Sequence, residues 1–197
     1  MLKKPVIHKI TDGEYIHIPD FYDLDSADSY FKDLIEGICW TQEKMHMFGR
    51  EINFPRLMAF YGDAGKSYSF SKNTFHAKEW TPTLLKIKTD LESKFQMELN
   101  SVLMNQYRDG NDSMDWHQDD EKELGLNPTI VSVNFGASRM FQLRHLKTKE
   151  KINIPLEHGS VLIMKGSLQH HWQHRLPKTK KAVGHRINLT FRLIQNR

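Results

Sequence analysis

Apolar residues recur at three- and four-residue intervals in two stretches of the chain and mostly at two-residue intervals beyond them. Ala27, Tyr30, Phe31, Leu34, Ile35 and Ile38 fall on one helical face, so Ser26 to Ile38 is predicted to be a helix with Asp25 or Ser26 as its N-cap. A second helix is expected to start at Thr81-Pro82 and run through Leu84, Leu85, Ile87, Leu91 and Phe95, because proline suits the first helical turn. Downstream the period shortens. Val102 to Tyr107, Ile130 to Phe135, Met140 to Arg144, Ile152 to Leu156, Val161 to Met164 and Ile187 to Ile194 read as short strands. Turn-forming stretches such as Arg108-Asp109-Gly110-Asn111-Asp112 follow or separate them. Many short strands spaced by turns imply a closed or two-sheet β structure. The expected class is mainly β with flanking helices (α+β), a helix-containing N-terminal half leading into a β-rich C-terminal half.

Composition narrows the setting. The 197 residues are 39% hydrophobic and 26% charged, as in a globular chain of one domain with a core of its own. No apolar run approaches the roughly 18 residues of a membrane span. Met1 to Thr11 carries two lysines but no signal-like apolar run after them, so no secretion is expected. A lone cysteine, Cys39, excludes an internal disulfide framework and a cysteine-cluster zinc site. An intracellular location is expected (cytoplasmic in a bacterium, nuclear in a eukaryote). The net charge of +4 and pI near 9.0 are compatible with a polyanionic partner without singling one out.

Candidate chemistry sits in the β-rich half. His117-Gln118-Asp119 places an imidazole and a carboxylate two positions apart, on one face of an extended segment. With a distant histidine they would form a two-His-one-carboxylate site that leaves positions open on Fe(II). The pair is also compatible with a solvated turn ahead of the acidic run Asp119-Asp120-Glu121. His170, His171, His174 and His185 are candidates for the third ligand, and the apolar Trp172 and Leu176 favour His174 between them. Arg186 to Leu193 alternates without exception: Arg186, Asn188, Thr190 and Arg192 share one face, Ile187, Leu189, Phe191 and Leu193 the other. Two arginines flanking Asn and Thr form a row suited to a dicarboxylate, because guanidinium binds carboxylate through a planar fork. Asn105 and Tyr107 share a face of an earlier strand and are placed to join them.

Taken together, Asn105-Gln106-Tyr107, His117-Gln118-Asp119, Trp172-Gln173-His174-Arg175-Leu176-Pro177 and Arg186-Ile187-Asn188-Leu189-Thr190-Phe191-Arg192 resemble the AlkB family, most closely its DNA-repair branch. The similarity runs from about Phe48 to Arg192. It implies a double-stranded β-helix (jelly roll) core over about residues 96–197, preceded over about 1–95 by helices and a nucleotide-recognition lid, all within one domain. It implies that His117, Asp119 and His174 bind Fe(II) and carry catalysis. Asn105, Tyr107, Arg186, Asn188, Thr190 and Arg192 would hold 2-oxoglutarate, the two arginines at its two carboxylate ends. O2 is then the co-substrate, with ascorbate the reductant in assays. The implied activity is oxidative removal of alkyl groups from nucleobases such as 1-methyladenine and 3-methylcytosine in DNA.

The lid is matched as well. Phe48, Gly49 and Arg50 are similar to a hairpin finger that wedges into a base stack. Arg56, Tyr68, Ser69 and Phe70 are similar to the lining of the base pocket, with Asp120 and Glu121 beside the base edge. Phe48-Gly49 and the Tyr61 segment resemble the duplex-acting branch, whereas Asp112 to His117 and Trp172 to His174 resemble the one preferring single strands. Alternatives are the same chemistry on RNA, or a non-catalytic nucleic-acid-binding module. The expected partner is alkylated DNA, with no membrane and a monomeric chain.

Overall fold

The computed structural model describes residues 5–47, 49–70 and 73–195. Strands β1 (Ile7–Ile10) and β2 (Gly13–Ile18) form an antiparallel hairpin. Helix α1 (Leu24–Gly37) follows, then the hairpin β3 (Lys44–Met47) and β4 (Arg50–Asn53). Next come β5 (Leu57–Gly62), the pair β6 (Ser67–Phe70) and β7 (Asn73–His76), and helix α2 (Pro82–Phe95). The remainder is nearly all β: β8 (Ser101–Tyr107), β9 (Met114–His117), β10 (Ile130–Gly136), β11 (Arg139–His145), β12 (Lys151–Leu156) and β13 (Ser160–Lys165). A one-turn helix α3 (Leu168–His171) then leads into β14 (Trp172–Leu176) and β15 (Arg186–Arg192).

Two antiparallel sheets carry the architecture. The larger has the order β1-β2-β13-β10-β15-β8-β5 and the smaller β12-β11-β14-β9. These are the sheets of a jelly-roll fold. The N-terminal half contributes more than helices and lid, because β1, β2 and β5 complete the edges of the large sheet. β1 and β2, short and mixed in pattern, were not read as strands from the sequence, and the Tyr61 segment, matched there to the lid, belongs to edge strand β5 of the large sheet. Among the described residues no helix is long and apolar enough to cross a membrane.

The helices form for the reasons their sequences suggest, with one correction. The N-cap of α1 is Asp23, whose carboxylate accepts from the Ser26 amide at 2.8 Å, and not Asp25 or Ser26, which lie inside the helix. Thr81 caps α2, Pro82 opens it and Gln96 closes it in the left-handed region. Leu34, Leu84, Ile87 and Leu91 pack with Val133, Ile187, Leu189 and Phe191 in the core that covers the outer face of the large sheet. A second core, including Leu103, Ile130, Leu143, Leu162 and Trp172, lies on its other face.

This layering decides the fate of β15. Every residue of it is buried: its apolar face meets the helix-side core, and Arg186, Asn188, Thr190 and Arg192 line an interior chamber. Gly136 permits the close approach at the start of β15. Its φ is +83°, it pairs with Arg186, and a Cβ there would meet the His185 carbonyl at 2.3 Å.

Leu189→Ala should cost about 2–5 kcal/mol by opening a cavity in this core. Leu85→Ala, at a site 44% exposed, should stay within about 0.5 kcal/mol. Urea unfolding of both variants checks the contrast.

Candidate active site

The small sheet supplies two of the three candidate metal ligands. His117 ends β9 directly opposite His174 on β14, and the rings meet edge to face with centroids 4.1 Å apart. In β14 the buried positions alternate as Trp172, His174 and Leu176, which is why the histidine between two apolar residues faces inward. A register shift lies between the His117 and Met114 pairs. Both residues line the chamber despite their odd spacing. Asp119 follows just beyond the strand. One ligand-type atom from each of His117, Asp119 and His174 lies within 4.8 Å of the others.

The protein also sets the protonation states that a metal requires. Burial pushes the His174 imidazole down to about 3, helped by His117, and burial likewise lowers His117. Burial alone would raise the Asp119 carboxyl, but the Arg192 guanidinium at 3.0 Å outweighs it and holds the group at about 2. At neutral pH the set is thus two neutral imidazoles and one carboxylate, the donor form that binds Fe(II). His117 Nδ1 donates to the Asp115 carbonyl at 2.8 Å, which leaves the Nε2 lone pair for an ion. His174 Nδ1 is buried without a hydrogen-bond partner. The residues fit the ion.

The triad stands at the wall between two spaces. On one side is a chamber of about 40 Å³, to which Asn105, Tyr107, Arg186, Asn188, Thr190 and Arg192 all contribute. Thr190 donates to Asn188, Asn188 to Ser132, and Arg186 to Asn134. Arg186 is completely buried over the Tyr107 ring, and its Nε lacks a partner. No carboxylate pairs with it among the described residues, and burial pushes it down to about 10. A buried guanidinium without a counter-ion is costly unless an anion joins it, so the chamber fits one carboxylate end of a dianion. Arg192 differs, since Asp119 already holds one side of its fork.

On the other side an open cavity of about 790 Å³ is lined by Arg56, Tyr68, Trp116, His117, Asp119, Glu121, Arg175 and Lys178, among others. The Tyr68 hydroxyl hydrogen-bonds Glu121. Burial and the Asp119 charge raise the Glu121 carboxyl, and its Oε2 is buried without a partner. Arg56 borders this cavity but turns its Nε onto Asn105 at 2.7 Å, so it ties the cavity wall to the chamber.

Other expected substrate contacts lie elsewhere. Ser69 bonds Thr74 away from the cavity, because alternation in β6 sends it opposite to Tyr68. Asp120 is exposed and does not line the cavity; Glu121 does. Gly49 and Arg50 are exposed on the β3–β4 hairpin. Phe48 and the Phe70 ring lie outside the described residues. Sequence reading missed the rim: the Arg144 and Arg175 guanidiniums lie 4.2 and 4.4 Å from the Trp116 ring centroid and donate to Gln173 and Gln142 at 2.9 and 2.7 Å. Alternation in β11 and β14 was the signal available for them.

A second cluster, Asp12, His145 and His171, also brings ligand atoms together. There His145 Nδ1 accepts from the Lys147 and Thr148 amides, so Nε2 carries the proton toward Asp12. That cluster is a hydrogen-bonded staple.

The buried imidazoles carry a pH signature. The His174 pKa lies below its ordinary 6.5, so the unfolded chain takes the proton first. The stability this contributes is complete above about pH 6.5 and is lost as the pH falls toward 3. Melting of the metal-free protein should therefore drop between pH 7 and 5, and His174→Gln should flatten that slope.

Comparisons with known proteins agree with this geometry. The family model described as the 2OG-Fe(II) oxygenase superfamily matches residues 14–192. "Alpha-ketoglutarate-dependent dioxygenase alkB homolog 3" of Bos taurus is 41% identical over 186 residues, covering 89% of this chain and 64% of the relative. "DNA oxidative demethylase ALKBH2" of Homo sapiens is 39% identical over 179 residues, covering 85% of this chain and 69% of the relative. The chain thus spans just under two thirds of the length of the alkB homolog 3 proteins it matches. The solved structure of OsALKBH1 superposes with a TM-score of 0.68 over 95% of this chain and 99% of that one, at 15% identity, a likeness of fold. The chain belongs to the 2OG-Fe(II) oxygenase superfamily, whose chemistry uses Fe(II), 2-oxoglutarate and O2.

Proposed function

We propose that this protein removes alkyl groups oxidatively from N-alkylated nucleobases in DNA. The observation that carries the reading is the His117–Asp119–His174 set placed between an arginine-floored chamber and a cavity open to a larger substrate. The similarity to an alpha-ketoglutarate-dependent dioxygenase and a DNA oxidative demethylase supports it. His117, Asp119 and His174 would hold Fe(II), and Arg186 would hold the distal carboxylate of 2-oxoglutarate, with Asn105, Tyr107, Asn188 and Thr190 shaping the chamber. Arg192 orients Asp119 and offers its remaining donors to the co-substrate's other end. Bound there, iron and co-substrate supply the oxidising equivalent from O2 that hydroxylates the N-alkyl carbon, with 2-oxoglutarate converted to succinate and CO2.

The chain's own residues select the base. Glu121, paired with Tyr68, presents a carboxylate to the cavity. A cationic base such as 1-methyladenine or 3-methylcytosine stabilises its charged form. Arg175 and Lys178 line the mouth and Arg144 lies over the neighbouring Trp116 ring, so that, held in place by Gln142 and Gln173, the guanidiniums would meet backbone phosphate there. We read the chain as a single monomeric domain over 1–197, acting inside the cell without a membrane. RNA carrying the same bases is the second substrate to assay.

Succinate formation and mass spectrometry of methylated oligonucleotides, single- and double-stranded DNA and RNA, test the reading. The wild type should turn over only with Fe(II) and 2-oxoglutarate, and Asp119→Ala should abolish turnover; retained iron-dependent activity in that variant rejects the ligand assignment. Arg175→Glu should raise the KM for oligonucleotide, leave that for 2-oxoglutarate unchanged, and flatten the salt dependence of binding. Glu121→Gln should slow cationic lesions more than neutral N-alkyl bases.

A further inference from the structure

Gln118 and Gln169 form a reciprocal clasp at the point where strand pairing stops. The β9–β14 ladder ends at the His117–His174 pair, and Asp119 lies two residues beyond it. There the Gln118 side chain donates to the Gln169 carbonyl at 2.8 Å, while Gln169 Oε1 accepts the Asp119 amide at 3.0 Å. Gln169 is 1% exposed and sits on α3, three residues before β14 residue Trp172 and five before His174. The orientation of its amide is dictated by its partners: a backbone N–H can only donate, so Oε1 must face Asp119, and Nε2 turns to the Met164 sulfur at 3.6 Å. No charge is introduced beside the buried Asp119 carboxylate.

We propose that Gln169 is a positioning residue for the metal site, which with Gln118 sets the distance of the Asp119 carboxylate from the two imidazoles. The inference rests on the metal-site reading above and extends it to residues that are not themselves ligands. Two of the ligands come from a paired strand, but the third hangs on a segment with no ladder. Arg192 grips only the end of the Asp119 side chain. The clasp holds its backbone, and holds it to the segment that carries His174. Without it the carboxylate can drift while the imidazoles stay, which is a loss of preorganisation rather than of fold.

The test is Co(II) binding to the full chain, read as a dissociation constant and as the ligand-field spectrum, with the melting temperature of the metal-free protein alongside. Gln169→Met fills the same space without the amide oxygen. It should bind Co(II) about 10–100-fold more weakly, with an altered spectrum and a melting temperature close to wild type. Gln118→Met should weaken binding about 10-fold, and the double variant should lose less than the two single losses combined, since both bonds restrain one pair of segments. Unchanged affinity and spectrum in folded Gln169→Met overturns the proposal. Should Gln169→Met not fold, unchanged affinity in Gln118→Met overturns it equally. If wild type itself shows no Co(II) site that Asp119→Ala removes, the metal-site reading fails; if it does and Gln169→Met matches it, the clasp alone fails.

Discussion

The ion pair between Arg192 and Asp119 joins the two sheets at the centre of the molecule. Arg192 ends β15 in the large sheet, and Asp119 follows β9 at the edge of the small one. Both side chains are almost wholly buried, 3.0 Å apart. Such a pair adds little net stability over a well-packed apolar one, but removing either partner strands a charge in the interior, at a cost of about 3–5 kcal/mol. The pair therefore acts chiefly as a specification. It keeps the carboxylate ionised, aims it at His117 and His174, and keeps the interior polar where the sheets meet.

From that contact the electrostatics divide in space. Toward the closed end the chamber carries the unpaired charge of Arg186, with Asn and Thr side chains bonded to one another around it. Toward the open end Glu121 gives the cavity a negative lining, Arg175 and Lys178 add positive charge to its wall, and Arg144 lies against the lining residue Trp116. The proposed substrates fit this sequence of signs: a phosphate backbone at the rim, a cationic base within, and a dicarboxylate behind the metal.

Several of these features were legible before any coordinates. Strict alternation from Arg186 to Leu193 identified a strand and its two faces, because a side chain's direction along a strand has a period of two regardless of what lies around it. Thr81-Pro82 and the spacing of Leu84, Ile87 and Leu91 marked α2, since capping and helical periodicity are local properties. The trio His117, Asp119 and His174 was reachable from residue types, flanking apolar residues and family resemblance. Short or weakly patterned elements were not: β2 takes its place from pairing with β13, and β1 from pairing with β2, and the cap of α1 shifted to Asp23 because its carboxylate reaches the Ser26 amide.

What only the tertiary structure decided were the contacts between residues far apart in the chain. That Arg192 belongs first to Asp119, that Arg56 turns to Asn105, that Gln169 reaches the Asp119 amide, and that Arg144 and Arg175 converge on Trp116 depend on which strands lie side by side. Asp120 and Ser69 face away from the cavity for the same reason that Glu121 and Tyr68 face it. By itself the sequence determined the kinds of side chain and the face each shares, because propensity and periodicity act over a few residues. The pairing of those faces followed only when two sheets closed over one core, since strand order and register are settled by long-range packing.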